Sequence, residues 1–164
     1  YATDGSYVSS AVVIGDLFAR FSTLFSQATW TSVWSDELIG SSPLAQYNDA
    51  VYPIEMTNKG CIQERWICLF TSSSEFRCVG EYTGQIATGS INVDFAPINP
   101  ETSAPYFTIR GAGWGSGWAT GNVLRFNTVA ANYPIWVART VLQGDATAHE
   151  DRFRLQVRGD ADTE

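Results

Sequence analysis

Apolar side chains recur along this chain in two different rhythms. Near the start, Leu17, Phe18, Phe21, Leu24 and Phe25 fall at i, i+1, i+4, i+7 and i+8. That spacing predicts a short helix, with Asp16 placed to cap it. Further on, short runs rich in β-branched and aromatic residues are separated by Gly, Pro, Asn and Ser clusters. The runs are Ala11–Ile14, Thr31–Trp34, Ile54–Thr57, Glu64–Phe70, Phe76–Tyr82, Ile86–Phe95, Tyr106–Arg110, Val123–Thr128, Ile135–Leu142 and Arg152–Arg158. A spacing of about 8–12 residues between turn signals is the rhythm of a β-sandwich or barrel. The expectation is an all-β fold, a β-sandwich or jelly-roll of roughly eight to ten strands behind one short N-terminal helix. Residues 1–164 read as a single domain, in which 1–28 form an N-terminal segment.

Two strands report their surroundings. In Arg152–Arg158, Phe153, Leu155 and Val157 alternate with Arg152, Arg154, Gln156 and Arg158. One face of that strand belongs on a core, and the arginine face on water or on a partner. In Glu64–Phe70, the set Trp66, Cys68, Phe70 alternates with Arg65, Ile67, Leu69, so both faces are largely apolar and the strand is expected at the sheet centre. Pairing this run with Phe76–Tyr82 around Thr71–Glu75 puts Cys68 opposite Cys78. Directly opposed residues lie about 4.5–5.5 Å apart, close enough to bridge. A reducing compartment would instead leave them as buried thiols. With Cys61 the count is three and odd, and no CxxC spacing occurs, so neither a disulfide scaffold nor a zinc site is indicated.

Composition narrows the function classes. The chain is 45% hydrophobic, 13% aromatic and 16% charged, which excludes disorder. No apolar run approaches the ~18 residues of a membrane span. A net charge of −7 and a pI near 4.6 argue against a nucleic-acid partner, which needs clustered Lys and Arg. Of ten basic residues only Lys59 is lysine, and arginine suits fixed hydrogen bonds more than a mobile solubilising coat. The chain begins with Tyr1 rather than Met, the expectation for a processed product or a piece of a longer polypeptide.

Catalytic constellations do not assemble. The one histidine, His149, sits in the polar stretch Ala148-His149-Glu150-Asp151 and reads as a surface residue. Metal sites built on imidazole fail on the same count, so no metal ligands or cofactor are expected. Asp36–Glu37, Glu150–Asp151 and Asp160-Ala161-Asp162-Thr163-Glu164 are oxygen-rich, but none has the EF-hand spacing. In Gly111-Ala112-Gly113-Trp114-Gly115-Ser116-Gly117-Trp118 the glycines miss the GxGxxG pattern and no helix follows, which rejects a phosphate cradle. The run Ala96–Pro105 holds three prolines and reads as loop. The tryptophans leave two readings open. Trp30 and Trp34 frame one strand, and Trp114 and Trp118 sit in the glycine-rich loop. They are either a flat binding platform, with Trp114, Trp118, Arg152, Arg154 and Arg158 as the candidate surface, or plugs that close the ends of the fold.

Several segments together carry a resemblance: Thr29–Asp36, Ala45–Ile54 with Thr57–Gly60, Gln63–Trp66, Ala96–Pro100, Tyr106-Phe107, Gly113–Trp118, Gly121–Thr128, Trp136–Val141 and Phe153–Asp160. Their order is similar to a β-rich region of tail-tip and baseplate proteins from tailed bacteriophages and prophages, particularly Mu-like phages with long flexible tails. The resemblance spans roughly residues 29–160 and contains no catalytic motif. It implies a virion structural role in the tail, with assembly in the bacterial host cytoplasm. The implied partners are other tail and baseplate proteins and further copies of the chain around the tail axis. The main alternative is a receptor- or carbohydrate-binding module for host attachment that uses Trp114, Trp118 or neighbouring loops. A hydrolase acting on surface polymer, which would need two carboxylates about 5–9.5 Å apart, is a third class.

Overall fold

The computed structural model describes residues 18–130 in full, together with the backbone of two strands, β1 (Tyr7–Val12) and β9 (Ile135–Thr140). Two compact units result, Tyr1–Gly15 with Tyr133–Glu164, and Asp16–Asn132. In the first, β1 and β9 pair antiparallel from Tyr7↔Thr140 to Val12↔Ile135.

The second unit is built on five strands: β2 (Arg20–Gln27), β3 (Glu64–Phe70), β4 (Glu75–Gly80), β5 (Gly84–Ser90) and β8 (Val123–Val129). They form one antiparallel sheet in the order β2-β8-β3-β4-β5. The expected central position of β3 is met, and so is the Cys68↔Cys78 register. Thr71 N–H donates to Glu75 O, and Glu81 N–H donates to Arg65 O. Hydrogen-bonded pairs alternate along this ladder, so Cys68 and Cys78 form a non-hydrogen-bonded pair, the closer kind. Both are free thiols, as is Cys61.

Of the predicted helix over Leu17–Phe25, Leu17 lies outside the described residues; Phe18–Phe25 form no helix, and β2 runs through Arg20–Gln27 instead. Its register against β8 slips by one residue between Ser22 and Phe25, and Thr23 there adopts φ +53°. This bulge explains the misreading. Phe21 lies opposite Thr128 on the core face, whereas Phe25 lies opposite Arg125 on the other face. A strand that changes face at a bulge places apolar residues at spacings that imitate one stripe of a helix. Pairing with β8 then decides the outcome, since a lone helix this short is marginal.

One face of the sheet carries Trp66, Cys68 and Phe70 of β3, Phe76 and Cys78 of β4, and Leu124 and Phe126 of β8, all buried. What covers them is largely irregular chain. Ala45, Tyr47 and Ile54 come from one segment, and Phe95, Tyr106, Phe107, Ile109 and Trp118 from another. These segments are tied by the single bridges Glu55↔Thr108, Phe95↔Ile109 and Tyr47↔Trp114, and by a two-residue ribbon, β6 (Ile98–Asn99) with β7 (Ala104–Pro105). The expected strands Ile54–Thr57 and Tyr106–Arg110 thus survive only as bridges, and Thr31–Trp34 forms no strand. The architecture is all-β and antiparallel. Among the described residues the only helical turn is a 3-10 turn at Gly111–Gly113.

Candidate functional site

The glycine-rich loop that sequence singled out belongs to the core. Trp118 is 3% exposed and stacks on Phe70 with centroids 4.3 Å apart and planes 4° from parallel. Trp114 is half-buried and meets Tyr47, Phe70, Phe76 and Trp118 at 5.1–5.6 Å. Neither indole N–H has an acceptor among the described residues. An unmade bond costs about 1–3 kcal/mol, whereas burying ~200 Å² of ring gains about 5 kcal/mol, so packing prevails. The glycines make this approach possible. A Cβ on Gly113 would lie 2.6 Å from the Tyr47 ring, and one on Gly115 would lie 2.7 Å from the Gln46 carbonyl oxygen. Trp118 thus belongs wholly to the core, and Trp114 packs against it while remaining half-buried. Arg152, Arg154 and Arg158, with their strand, lie outside the described residues, as does His149.

The opposite face of the sheet is built differently. Register sets its rows. Arg125, Ile67, Val79 and Gln85 lie side by side across β8, β3, β4 and β5, and Val123, Leu69, Arg77 and Thr88 form the next row. Ile67 and Val123 are buried, Leu69 and Val79 are half-buried, and Arg77 and Gln85 are exposed. An apolar floor thus rises to polar groups toward β5.

A strap, residues 28–36, lies over the β8 side of this face. At its start, Trp30 N–H donates to Gly121 O at 3.1 Å and the Asn122 amide donates to Ala28 O at 2.7 Å. At its end, Arg65 donates to both Asp36 oxygens, at 2.9 and 3.3 Å, and Asn127 donates to Asp36 Oδ1 at 2.9 Å. Those bonds, Arg65 first, hold the Asp36 carboxyl below its ordinary value of 3.8. Arg65 also binds Glu81 at 2.9 Å, so one guanidinium joins strap, β3 and the β4–β5 turn.

Between the two ends, Arg125 fixes the strap to the sheet. It is 3% exposed, and its guanidinium carbon sits 5.1 Å from the Phe25 ring centroid and 5.3 Å from that of Trp30. One nitrogen donates to Gln27 Oε1 at 3.1 Å and another to Ser35 O. Burial lowers its pKa from the free guanidinium value. Planar, weakly hydrated guanidinium suits this position between rings, where ammonium would not. Trp30 in turn meets Trp34 edge-on at 5.2 Å and 70°.

The result is a groove of about 410 Å³. Trp30, Ser32 and Trp34 form one wall, Ile67, Leu69 and Val79 the floor, and Arg77, Glu81 and Gln85 the far wall. Its charges differ in kind. Glu81 is engaged by Arg65, whereas Arg77 has no ion pair or side-chain hydrogen bond among the described residues. Trp30 and Trp34 were visible in the sequence as a pair. What hid the groove is that its far wall comes from strands β4 and β5, some 45–55 residues later in the chain. A second hollow, about 440 Å³ beside β5, is lined by Glu75, by residues 87–90 and by residues 93–97.

Elsewhere several ionisable groups are tied down. Buried Glu64 accepts from the N–H groups of Arg65, Tyr82 and Thr83 and from the Thr83 hydroxyl at 2.6 Å, closing the β4–β5 turn. Arg110 joins Glu55 and Asp94, each at 2.7 Å. No cluster of three or more His, Cys, Asp or Glu suited to a metal ion occurs among the described residues. Nor is any helix there long and apolar enough to cross a membrane. Comparison with protein families, with curated proteins and with solved structures returns no match to this chain.

Proposed function

We propose that this chain is a structural component of a phage tail tip or baseplate, a sandwich-like β module that acts through non-covalent contact with neighbouring tail proteins and with further copies of itself. The observation that carries the reading is how its polar groups are used. Arg65 and Arg110 each bind two carboxylates, Glu64 closes a turn, and Arg125 holds a strap against the sheet. These are bonds that fix shape. Large apolar side chains are also left open at the surface: Leu44, Val51, Val93 and Ile98 are all more than half exposed. Exposed apolar side chains beside arginine and aromatic anchors are the makings of a protein interface.

The test is location. An antibody to residues 18–130, with gold detection, is applied to purified tailed particles from a lysate that encodes the chain. Label at the distal end of the tail is expected. Particles that lack the chain altogether overturn the proposal.

A second reading, recognition of a host-surface glycan, is favoured by one observation. The groove of Trp30 and Trp34 faces Arg77, an arginine with no ion pair or side-chain hydrogen bond among the described residues.

A further inference from the structure

We propose that the groove between the strap and β5 binds an acidic polysaccharide, with a pyranose ring against the Trp30–Trp34 wall and its carboxylate on the Arg77 guanidinium. The inference rests on the glycan-recognition reading and specifies its ligand class.

Three features of the groove select the ligand. First, its aromatic wall is set before any ligand arrives. Trp30 is backed by Arg125, Trp34 packs on Trp30, and the strap is pinned at both ends. A site whose side chains are already ordered loses little conformational freedom on binding. Half-buried indoles over an apolar floor favour a ligand with one flat C–H face, and the polar far wall favours a rim of hydroxyls. A pyranose ring has both.

Second, Arg77 is the cation of this groove that is open to a ligand. Arg65 is engaged by both Asp36 and Glu81, and Arg125 is buried under the strap. Glu81 also lines the groove, but its charge and that of Asp36 are offset together by the guanidiniums of Arg65, at 2.9 Å from each, and of the neighbouring Arg125. The guanidinium fork matches a carboxylate in two-point geometry. The net charge of −7 opposes a polyanion at long range, but screening confines that repulsion to about 8 Å at physiological salt. Recognition is then local and moderate in strength.

Third, the exposed Gln85 sits beside Val79 in register and offers both donor and acceptor to sugar hydroxyls. A volume of about 410 Å³ lies at the lower end of small-ligand sites, which run to ~1,000 Å³, and so admits a short stretch of polymer. One cation cannot clamp successive phosphates, which argues against nucleic acid.

The experiment uses the full chain, with calorimetry and tryptophan emission as readouts. The probes are tetragalacturonate, neutral maltotetraose and tripolyphosphate. Tetragalacturonate should bind saturably and shift the emission, and maltotetraose should bind roughly tenfold more weakly. Arg77→Gln should reduce tetragalacturonate affinity about tenfold and erase the preference over maltotetraose, and Gln85→Ala should weaken both sugars. Both replaced residues are exposed, so unchanged urea midpoints verify folding. No saturable response to tetragalacturonate, equal binding of both sugars, or full affinity in Arg77→Gln overturns the inference. So does tripolyphosphate that binds as tightly as tetragalacturonate, which would make Arg77 a bare anion site. Saturable binding of maltotetraose alone leaves glycan recognition standing and removes only the acidic-sugar assignment. Silence from both sugars removes both, while the tail-location test stands independently.

Discussion

Replacing Arg125 by Met tests whether one buried guanidinium organises the aromatic wall. Methionine keeps most of the length and volume and removes the charge. Two charge-assisted hydrogen bonds are lost, to Gln27 Oε1 and to Ser35 O, each contributing about 1.5–3 kcal/mol. Two ring contacts, with Phe25 and Trp30, contribute ~0.5–2 kcal/mol each. Against this, methionine enters the site without the desolvation cost of a cation. Exchange of a buried charge for an apolar side chain is often neutral or stabilising when its whole partner set is replaced too. Here the partners stay, and both carbonyl oxygens are left without their donor. The net expectation is a loss of roughly 3 kcal/mol, a large part of the 5–15 kcal/mol typical of a domain. Urea unfolding followed by circular dichroism reads that loss. Hydrogen exchange by mass spectrometry reads its locality, with faster exchange concentrated in residues 28–36. Arg125→Lys should fall between, since one ammonium cannot reach both acceptors in the same plane. A methionine variant within about 0.5 kcal/mol of the parent, with unchanged exchange in the strap, would refute the reasoning.

Three further outcomes follow from the ion pairs and thiols. Asp36 and Asp94 titrate below their ordinary 3.8, Asp36 chiefly through Arg65 and Asp94 chiefly through the Gly111 N–H. A carboxyl with a depressed folded pKa stabilises above its unfolded value and loses that contribution as pH falls through the folded one. Thermal midpoints should therefore hold above about pH 4 and drop below it, and Asp36→Asn should flatten the drop. A steeper acid limb in that variant would contradict the assignment. Glu64→Gln turns one acceptor oxygen into a donor facing the Tyr82 and Thr83 donors, and should cost on the order of 2–3 kcal/mol in urea unfolding. Equal stability would mean that the turn does not depend on the carboxylate. Burial pushes the Cys61 thiol up to about 11 and raises Cys78 well above the ordinary range, helped by Cys68. Native protein at pH 8 should resist iodoacetamide, while denaturant exposes all three thiols, and labelling at the rate of free cysteine would disprove the burial.

The central strand, the Cys68–Cys78 pair and the all-β class could be read directly from the chain. Each depends on period-2 alternation and short turns, which are local properties that the backbone geometry of a strand fixes. Register between β3 and β4 follows for the same reason, because a slip of one residue would turn Trp66, Cys68 and Phe70 out of the core. Three features came only with the tertiary structure. The bulge in β2 imitates helical spacing, and only its pairing with β8 reveals a strand. The glycine-loop tryptophans fill the core because Phe70 and Tyr47, distant in sequence, offer rings to pack on. The groove exists because Trp30 and Trp34 are held by Arg125 against strands whose outer rows end in Arg77 and Gln85. Periodicity specifies which face of a strand is apolar; which apolar faces meet, and which aromatic rings are left at the surface, depends on contacts between residues that no local spacing relates.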